Sequence, residues 1–487
     1  MSVLASNYVP GLYVEDHVIR VPLDWRGADP ADVLERGLPG GEDETISVFY
    51  RVVTAPEHAH DDLPLLVFLQ GGPGGQCPRP VSPTDDGWIA EAISHFRVIL
   101  PDQRGTGRSS RIDAQTIARF GSDARAAADY LKRFLADSIV RDFEYLRLKE
   151  FGGRRWVSLG QSYGGFLTLT YLSLFPRGLA ASFTTGGIPH VPADAAEVYA
   201  HTFPRMAAKT KRYYERYPQD VTRVAAIADR LAAGDVRLPN GDPFSVSRLQ
   251  MLGSDFGMKP SFERLHWLVD QAFTGGDGTV AAERAGDGSE TADVAGVAGG
   301  AAHTGDGAAS PVTLSTGFAM NVLARTASYE RPLYWPLQEF IYADGEMDRP
   351  IDWAAQHELE RHPEFSTDAR PLMFTGEAVF PWMFEEDSSL RPFRPAVELM
   401  MQDTRFGRIY DEAQLARNEV PLQAAVYYDD MYVDSGMQLD TLSRIGRSHA
   451  WVTNEFEHDG VHGSTVFGRL YREALERGDL EDVLAGR

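Results

Sequence analysis

The chain has 487 residues, of which 43% are hydrophobic and 11% aromatic, so it can bury a large core and a second region built around it. Its formal net charge of −23 argues against nucleic acid or an anionic membrane as the main partner, because both bind clusters of Lys and Arg. A single cysteine, Cys77, excludes an internal disulfide framework and a cysteine-rich metal site.

The chain also lacks the patterns of a membrane or secreted protein. No apolar run reaches the roughly 18 residues that a membrane span needs, and the first residues have no basic stretch followed by an apolar one. We therefore expect a globular protein located in the cytoplasm.

From about residue 40 to residue 190, short β-rich runs alternate with stretches of helical periodicity. The predicted strands are Thr45–Val53, Leu63–Leu69, Phe96–Asp102 and the run "RWVSL" that ends at Leu159. Between the last two, Asp123–Phe151 has apolar residues at helical spacing, with a break near Asp137. This alternation predicts βαβ units and a mainly parallel sheet flanked by helices, which is an α/β fold.

The pattern changes after residue 190. Residues 191–370 are rich in Ala, Arg, Glu and Tyr and contain few β-like runs, which predicts an inserted, mainly helical cap. Within the cap, residues 274–311 are mostly Gly, Ala, Asp and Thr and cannot bury enough apolar surface to offset the entropy of ordering them. We expect a flexible loop there.

Sheet-like pattern returns in residues 371–487. It is found in Pro371–Glu377, Leu422–Asp430 and His449–His458, and an amphipathic helix follows near the end of the chain. The prediction is a core in two parts, 1–190 and 371–487, with the cap between them.

A serine flanked by glycines follows one predicted strand. The run Gly160-Gln161-Ser162-Tyr163-Gly164 has the G-x-S-x-G pattern, in which small residues allow a tight turn that exposes the serine hydroxyl above the sheet. The alternative is a glycine-rich turn with a serine that caps the next helix. These residues alone leave both interpretations open.

A second glycine turn, "GGPGG", follows the predicted strand Leu63–Leu69. Glycines there leave backbone N–H groups free to approach an oxyanion, and one such donor contributes about 3 to 4 kcal/mol of barrier lowering. An ordinary turn at the end of a strand is the alternative. Two glycine turns after two strands are what an acyl-transfer site needs.

Three motifs in this order, "LQGGPGG", "LPDQRGTGRSS" and "LGQSYGGF", resemble those of the proline iminopeptidase (prolyl aminopeptidase) family of α/β-hydrolases. The family commonly has His where this chain has Gln70, which we expect to be tolerated because that side chain is neither nucleophile nor base. The resemblance covers residues about 40 to 190 and 370 to 480, and the cap only in patches. It implies an α/β-hydrolase fold with a helical cap.

The resemblance also implies roles for the glycine turns. Ser162 would be the nucleophile of a Ser-His-Asp triad, and the backbone N–H of Tyr163 would form the oxyanion hole together with that of Gly72, or alternatively Gly71. Asp102 and Arg104, in "DQRGTG", are expected to brace the site rather than to react.

The family's chain order of Ser, Asp, His places the acid and the base near the end of the chain. We align Asp430 with the family's aspartate, with Asp429 as the close alternative. His458, which comes directly after the alternating run "AWVTNEFE", is the preferred base, and His462 would be a surface or supporting residue.

In similar enzymes, cap glutamates neutralise the substrate's N-terminal amine. "LYWPLQEFIYADG" places Glu339 among aromatic residues, where it resembles the family's amine-binding glutamate, and Glu377 in "FTGEAVFPWMF" is the weaker candidate. Most glutamates are simply surface residues, and that alternative stays open for both. Aromatic residues that could form a floor for a proline ring are Trp335, Tyr334, Phe340 and Trp382.

The leading hypothesis is a serine aminopeptidase that needs no cofactor or metal and releases an N-terminal residue, preferably proline, from short peptides. An esterase, amidase or other acyl hydrolase with the same triad is the alternative, and a non-catalytic binding protein is a third. The expected partner is a small peptide with a free N-terminus. The oligomeric state stays open.

Overall fold

The computed structural model describes residues 3–41, 44–274 and 313–484. The predicted flexible loop, residues 274–311, falls outside the described residues except for its first residue. The described strands are β1 (Val3–Val9), β2 (Leu12–Pro22), β3 (Thr45–Thr54), β4 (Leu65–Leu69), β5 (Arg97–Pro101), β6 (Trp156–Gln161), β7 (Leu179–Thr185), β8 (Leu422–Tyr427) and β9 (Ser448–Thr453).

The described α-helices are α1 (Pro30–Arg36), α2 (Gly87–Ile93), α3 (Ala114–Ala118), α4 (Ala124–Lys132), α5 (Ala136–Glu150), α6 (Tyr163–Leu174), α7 (Ala195–Arg216), α8 (Gln219–Ala232), α9 (Val246–Gln250), α10 (Ser261–Asp270), α11 (Thr316–Thr326), α12 (Tyr334–Leu337), α13 (Ala354–Leu359), α14 (Met383–Glu386), α15 (Arg394–Met401), α16 (Glu412–Ala416), α17 (Ser435–Ser443), α18 (Val466–Glu476) and α19 (Glu481–Leu484). Within the described part of the chain, no helix is both long and apolar enough to cross a membrane.

The strands form one twisted sheet in the order β1-β2-β3-β5-β4-β6-β7-β8-β9. The neighbouring pairs β1–β2, β2–β3 and β3–β5 are antiparallel. The remaining neighbouring pairs, β5–β4, β4–β6, β6–β7, β7–β8 and β8–β9, are parallel. Strands β4 and β6 are buried at every residue, as expected for central parallel strands covered on both faces. The prediction of a mainly parallel sheet flanked by helices is confirmed.

The local predictions in the first part of the chain are largely confirmed. The four predicted strands correspond to β3, β4, β5 and β6, and the predicted helical stretch is α4 and α5 with the break at residues 133–135. The hairpin of β1 and β2, which extends the sheet at its antiparallel edge, was not predicted.

The sheet pattern predicted for Pro371–Glu377 is wrong, because this segment has no strand. Its backbone makes hydrogen bonds to α7 and α9 instead: the Tyr214 hydroxyl donates to the Leu372 carbonyl at 2.7 Å, and the Thr375 N–H donates to the Gln250 carbonyl at 3.0 Å. Strand β7 pairs directly with β8, which leaves no place for another strand between them.

Among the described residues, the chain leaves the sheet after Thr185 and rejoins it at Leu422. The intervening segment is mainly helical and packs its apolar side chains into the same core as helices α5 and α6. The cap boundary at residue 370 stays a prediction, and we call residues 186–421 the insertion.

Candidate active site

Loops at one edge of the sheet bring the candidate residues together. The carboxyl ends of β4, β6, β7, β8 and β9 lie at the same edge because these strands are parallel neighbours. The loops that follow them carry, in that order, Gly71 with Gly72, Ser162, Gly186 with Gly187, Asp430 and His458. In open α/β sheets, ligands bind at this edge.

Ser162 occupies a sharp turn between β6 and α6. Its backbone has φ 55° and ψ −124°, a conformation that a non-glycine residue rarely adopts. A Cβ on Gly164 would overlap the carbonyl oxygen of Leu69, and one on Gly160 would overlap that of Gly164. The glycines are therefore needed for close packing, and the Ser162 side chain makes no capping hydrogen bond to α6.

The second glycine turn packs directly against the serine turn. A Cβ on Gly71 would lie 3.1 Å from the Cβ of Ser162 and 2.6 Å from Oε1 of Gln161. Gly72 has φ 130° and precedes a cis peptide bond to Pro73. Tyr163 is the first residue of α6, so its N–H is among those that a helix leaves without an internal partner.

A pair of glycines after β7 links Ser162 to Asp430. A Cβ on Gly186 would lie 3.2 Å from Oδ2 of Asp430, and one on Gly187 would overlap the carbonyl oxygen of Ser162. The serine turn and the buried carboxylate therefore lie against two adjacent residues of the same loop.

Asp430 and His458 form a buried hydrogen-bonded pair, with Nδ1 of His458 2.7 Å from Oδ2 of Asp430. The other carboxylate oxygen accepts from the N–H groups of Tyr432 at 2.9 Å and Val433 at 3.1 Å. The Tyr432 ring also contacts the imidazole edge-on, with ring centroids 4.7 Å apart. The carboxylate is thus fixed from two sides and aimed at Nδ1.

The surroundings of His458 make its imidazole more basic than usual. Burial by itself lowers the pKa of His458, but the charge and hydrogen bond of Asp430, and the further charges of Glu377 and Asp459, raise it above 6.5 overall. A carboxylate at Nδ1 fixes the tautomer in which Nε2 can accept a proton, and it stabilises the imidazolium that results.

The alternative residues for the acid and the base lie elsewhere. Asp429 is partly exposed and pairs with Arg212 at 3.4 Å. His462 is exposed, and its Nδ1 lies 2.9 Å from Oδ1 of Asp86. The geometry therefore favours Asp430 over Asp429 and His458 over His462.

Of the two candidate glutamates, Glu377 lies near the Asp430–His458 pair. The Tyr334 hydroxyl donates to its Oε1, and Gln338 is a second hydrogen-bonding partner. Burial raises the pKa of Glu377, although Tyr334 and the nearby His458 act in the opposite direction. Residue 377 as a whole is half-buried.

Glu339 is fully buried and holds the start of helix α13. Its two oxygens accept from the N–H groups of Ala354 at 3.1 Å and Ala355 at 2.8 Å. Burial raises the pKa of Glu339 to about 8, against the lowering effect of these two hydrogen bonds. The sequence ranks Glu339 above Glu377 as an amine ligand, but in the structure its carboxyl group already has backbone partners.

The aromatic residues near Glu377 come from the insertion. Trp335 is buried, and its ring packs edge-on against Tyr334 at 4.8 Å between centroids. A Cβ on Gly74 would lie 3.1 Å from the backbone nitrogen of Tyr334, so this aromatic segment packs on the "GGPGG" turn. Phe340 is buried and Trp382 half-buried, and Trp382 stacks on Phe380.

The contacts of Asp102 and Arg104 agree with the expected bracing role. Asp102 is fully buried and accepts from Arg79 and from the N–H groups of Cys77 and Arg108. Arg104 is also buried and donates to both oxygens of Asp142, at 2.7 and 2.6 Å. Within the described residues, no group of three or more His, Cys, Asp or Glu could hold a metal ion.

Known proteins resemble this chain over nearly its whole length. A proline iminopeptidase of Aeromonas sobria is 37% identical over 465 residues, which cover 95% of this chain and 96% of the relative. The chain belongs to the proline iminopeptidase family. Another member, from Aspergillus aculeatus, is 30% identical over 94% of both chains.

The family membership predicted from the three glycine motifs is thereby confirmed. A protein-family model described as the alpha/beta hydrolase fold matches residues 64–227. The solved structure of a Mycobacterium smegmatis proline iminopeptidase matches with 14% identity and a TM-score of 0.39, covering 92% of this chain and 99% of that chain.

Sequence reasoning missed one residue at the centre of this family member's site. Tyr432 contacts both members of the Asp430–His458 pair, through its N–H and its ring. Its position two residues after the candidate acid was the only available signal. An N–H at that spacing commonly donates to an Asp side chain.

Proposed function

We propose that the protein is a serine aminopeptidase that releases an N-terminal residue, preferably proline, from short peptides. The observation that carries the proposal is the buried Asp430–His458 pair, which lies at the sheet edge that also carries the strained Ser162 turn. The 37% identity to a proline iminopeptidase over almost the full chain supports the choice of substrate.

In the proposed mechanism, Nε2 of His458 takes the proton of Ser162 as the serine oxygen attacks the carbonyl carbon of the N-terminal residue. The N–H groups of Tyr163 and Gly72 stabilise the oxyanion. His458 then gives its proton to the leaving amine, and water hydrolyses the acyl-enzyme by the same route. Asp430 accepts the hydrogen bond from Nδ1–H throughout.

We assign recognition of the substrate amine to Glu377. It lies near His458, and its carboxyl group has Tyr334 and Gln338 as side-chain hydrogen-bonding partners. A cationic amine beside it would offset the cost of burying its charge. Glu339 then has a structural role at the start of α13. Trp335 packs against Tyr334, which donates a hydrogen bond to Glu377.

The test is the hydrolysis of proline, alanine and acetyl-proline arylamides. We expect free proline arylamide to be cleaved fastest, and Ser162→Ala to abolish both hydrolysis and labelling by a fluorophosphonate. Glu377→Gln should raise KM for free proline arylamide by at least about tenfold, since a charge-assisted contact of about 1.5 kcal/mol or more is lost. Glu339→Gln is the matched control and should change KM much less.

Cleavage of acetyl-proline arylamide as fast as the free compound would contradict amine recognition and favour a general amidase or esterase. An unlabelled wild-type protein would contradict the enzyme assignment altogether. We also propose a cytoplasmic location, because the one cysteine, Cys77, is buried and unpaired and the chain needs no oxidising compartment.

A further inference from the structure

Helix α7, in the insertion, contacts both loops that carry the Asp430–His458 pair. Arg205 lies 2.6 Å from the carboxylate of Asp434, four residues after Asp430. Nζ of Lys209 lies 2.6 Å from Oε1 of Glu457, the residue before His458. Arg205 and Lys209 are four residues apart and therefore lie on the same face of the helix.

The loop of the acid is closed by Arg205. Its guanidinium donates to the carbonyl of Tyr428 at 3.0 Å and to the Asp434 carboxylate, so it joins the two ends of the loop around Asp430. Asp434 also accepts from the N–H of Met437 at the start of α17. The loop around Asp430 is therefore attached to the sheet through β8 and to the insertion through Arg205.

The loop of the base is held by the insertion at three successive residues. Lys209 pairs with Glu457, the N–H of His458 donates to the Gly257 carbonyl at 2.9 Å, and the Asp459 carboxylate accepts from the N–H of Lys259 at 3.2 Å. Strand β9 ends at Thr453, so the sheet alone does not fix the position of His458.

The Lys209–Glu457 pair is the most enclosed of these side-chain contacts, with 5% of the Lys209 side chain and 15% of the Glu457 side chain exposed. Burial raises the pKa of Glu457, and Lys209 lowers it. The largest charge effects on the imidazole come from Asp430, Glu377 and Asp459. Lys209 contacts the residue before His458, so it can act on His458 through the position of the loop.

We propose that Lys209 is a positioning residue that holds the loop of His458 in the arrangement needed for proton transfer from Ser162. The inference rests on the proposed function, because it concerns the base of that reaction. The insertion then does more than select the substrate, since helix α7 completes the alignment of the catalytic groups. A displacement of about 1 Å at such a site can cost about a hundredfold in rate.

The test uses the full chain with Lys209→Met, which keeps the length of the side chain and removes its charge. We measure kcat and KM for proline arylamide and the rate constant for fluorophosphonate labelling of Ser162, which does not need a substrate amine. Both kcat and the labelling rate should fall by about 10- to 100-fold. KM should stay within about threefold, and Lys209→Arg should restore much of the loss.

The matched control is Arg216→Met on the same helix, because Arg216 pairs at 2.7 Å with Glu263 of helix α10. It should leave both rates within about twofold, since exposed pairs contribute little. If Lys209→Met does not fold, as judged by its melting curve, Glu457→Gln breaks the same pair from the other side and should show the same loss.

A folded Lys209→Met variant with unchanged kcat and labelling, or with a change confined to KM, would overturn the inference. The same result in Glu457→Gln would do so if that variant is the one that folds. Failure of the proposed function has a different signature, because the wild-type protein would then neither cleave proline arylamide nor be labelled.

Discussion

Replacing Asp430 by Asn changes one atom at the centre of the site and should switch the imidazole to the wrong tautomer. The asparagine carbonyl can accept from the N–H groups of Tyr432 and Val433, as Oδ1 of Asp430 does. Its NH₂ group then faces Nδ1 of His458, where Oδ2 lies at 2.7 Å. Nδ1 must accept that hydrogen bond, so the ring proton moves to Nε2 and His458 can no longer take the proton of Ser162.

The size of the effect follows from this loss of the base. In the serine-protease triad, the same exchange lowers kcat about 10⁴-fold while leaving the geometry intact, and we expect a similar loss here. That factor corresponds to about 5.5 kcal/mol in the activation free energy. KM for proline arylamide should change little, because Asp430 is buried behind His458 and does not face the substrate.

The chain offers a control at the next position. Asp429→Asn removes a partly exposed pair with Arg212 and should leave kcat within about twofold. The measurement is steady-state hydrolysis of proline arylamide by both variants, with melting curves to confirm folding. If Asp430→Asn kept more than a tenth of the wild-type kcat, or if Asp429→Asn lost as much, the assigned acid would be wrong.

Three further predictions concern charge and burial. The raised pKa of Glu339, about 8, exceeds its value in the unfolded chain, so the free energy of unfolding should fall by up to about 5 kcal/mol as pH rises from about 4.5 to about 8. Denaturant titrations at pH 5 and 8.5 measure the difference in the free energy of unfolding, and Glu339→Gln should remove the part of that difference due to Glu339. A variant with the same pH dependence as the wild type would contradict this prediction. The pKa of His458 is raised above 6.5, so fluorophosphonate labelling should decline on acidification with a midpoint above that pH. Glu377→Gln removes one negative neighbour and should move the midpoint down, whereas a fixed midpoint would refute the electrostatic link. Arg104→Met leaves the buried Asp142 without its cation and should lower the free energy of unfolding by about 3 to 5 kcal/mol. An unchanged melting temperature would exclude a stabilising role for Arg104.

The features that sequence predicted well are those set by local chemistry. Strands β4 and β6 are short runs that are followed by glycine turns, and both their type and the turns after them follow from adjacent residues. The crowding around Gly160 and Gly164 explains why the serine turn has a recognisable pattern, since no larger residue fits there.

The features that sequence missed depend on distant partners. Pro371–Glu377 has the composition of a strand, but its backbone partners lie on Tyr214 and Gln250, which sequence could not place beside it. In β2, the polar residues 15–17 interrupt the apolar alternation, so the first hairpin has only a weak pattern.

The proposed assignment of amine recognition to Glu377 rather than Glu339 also depends on distant partners. Glu339 and Glu377 both stand among aromatic residues, so local composition does not show which carboxyl group faces a ligand. The start of helix α13 supplies two N–H groups to Glu339, and these come from residues 354 and 355. Sequence does not show that the start of helix α13 supplies hydrogen-bond donors to both oxygens of Glu339.

The choice between Asp429 and Asp430 depends on strand register. Strand β8 pairs with β7 so that Ala425 lies opposite Thr185. Gly186, the residue after Thr185, packs against the Asp430 carboxylate. A slip of one residue would turn every side chain of β8 to the other face and would bring Asp429 toward that position. The insertion separates β7 from β8 in the chain. Sequence therefore does not give the register of these two strands, on which the position of the acid relative to Ser162 depends.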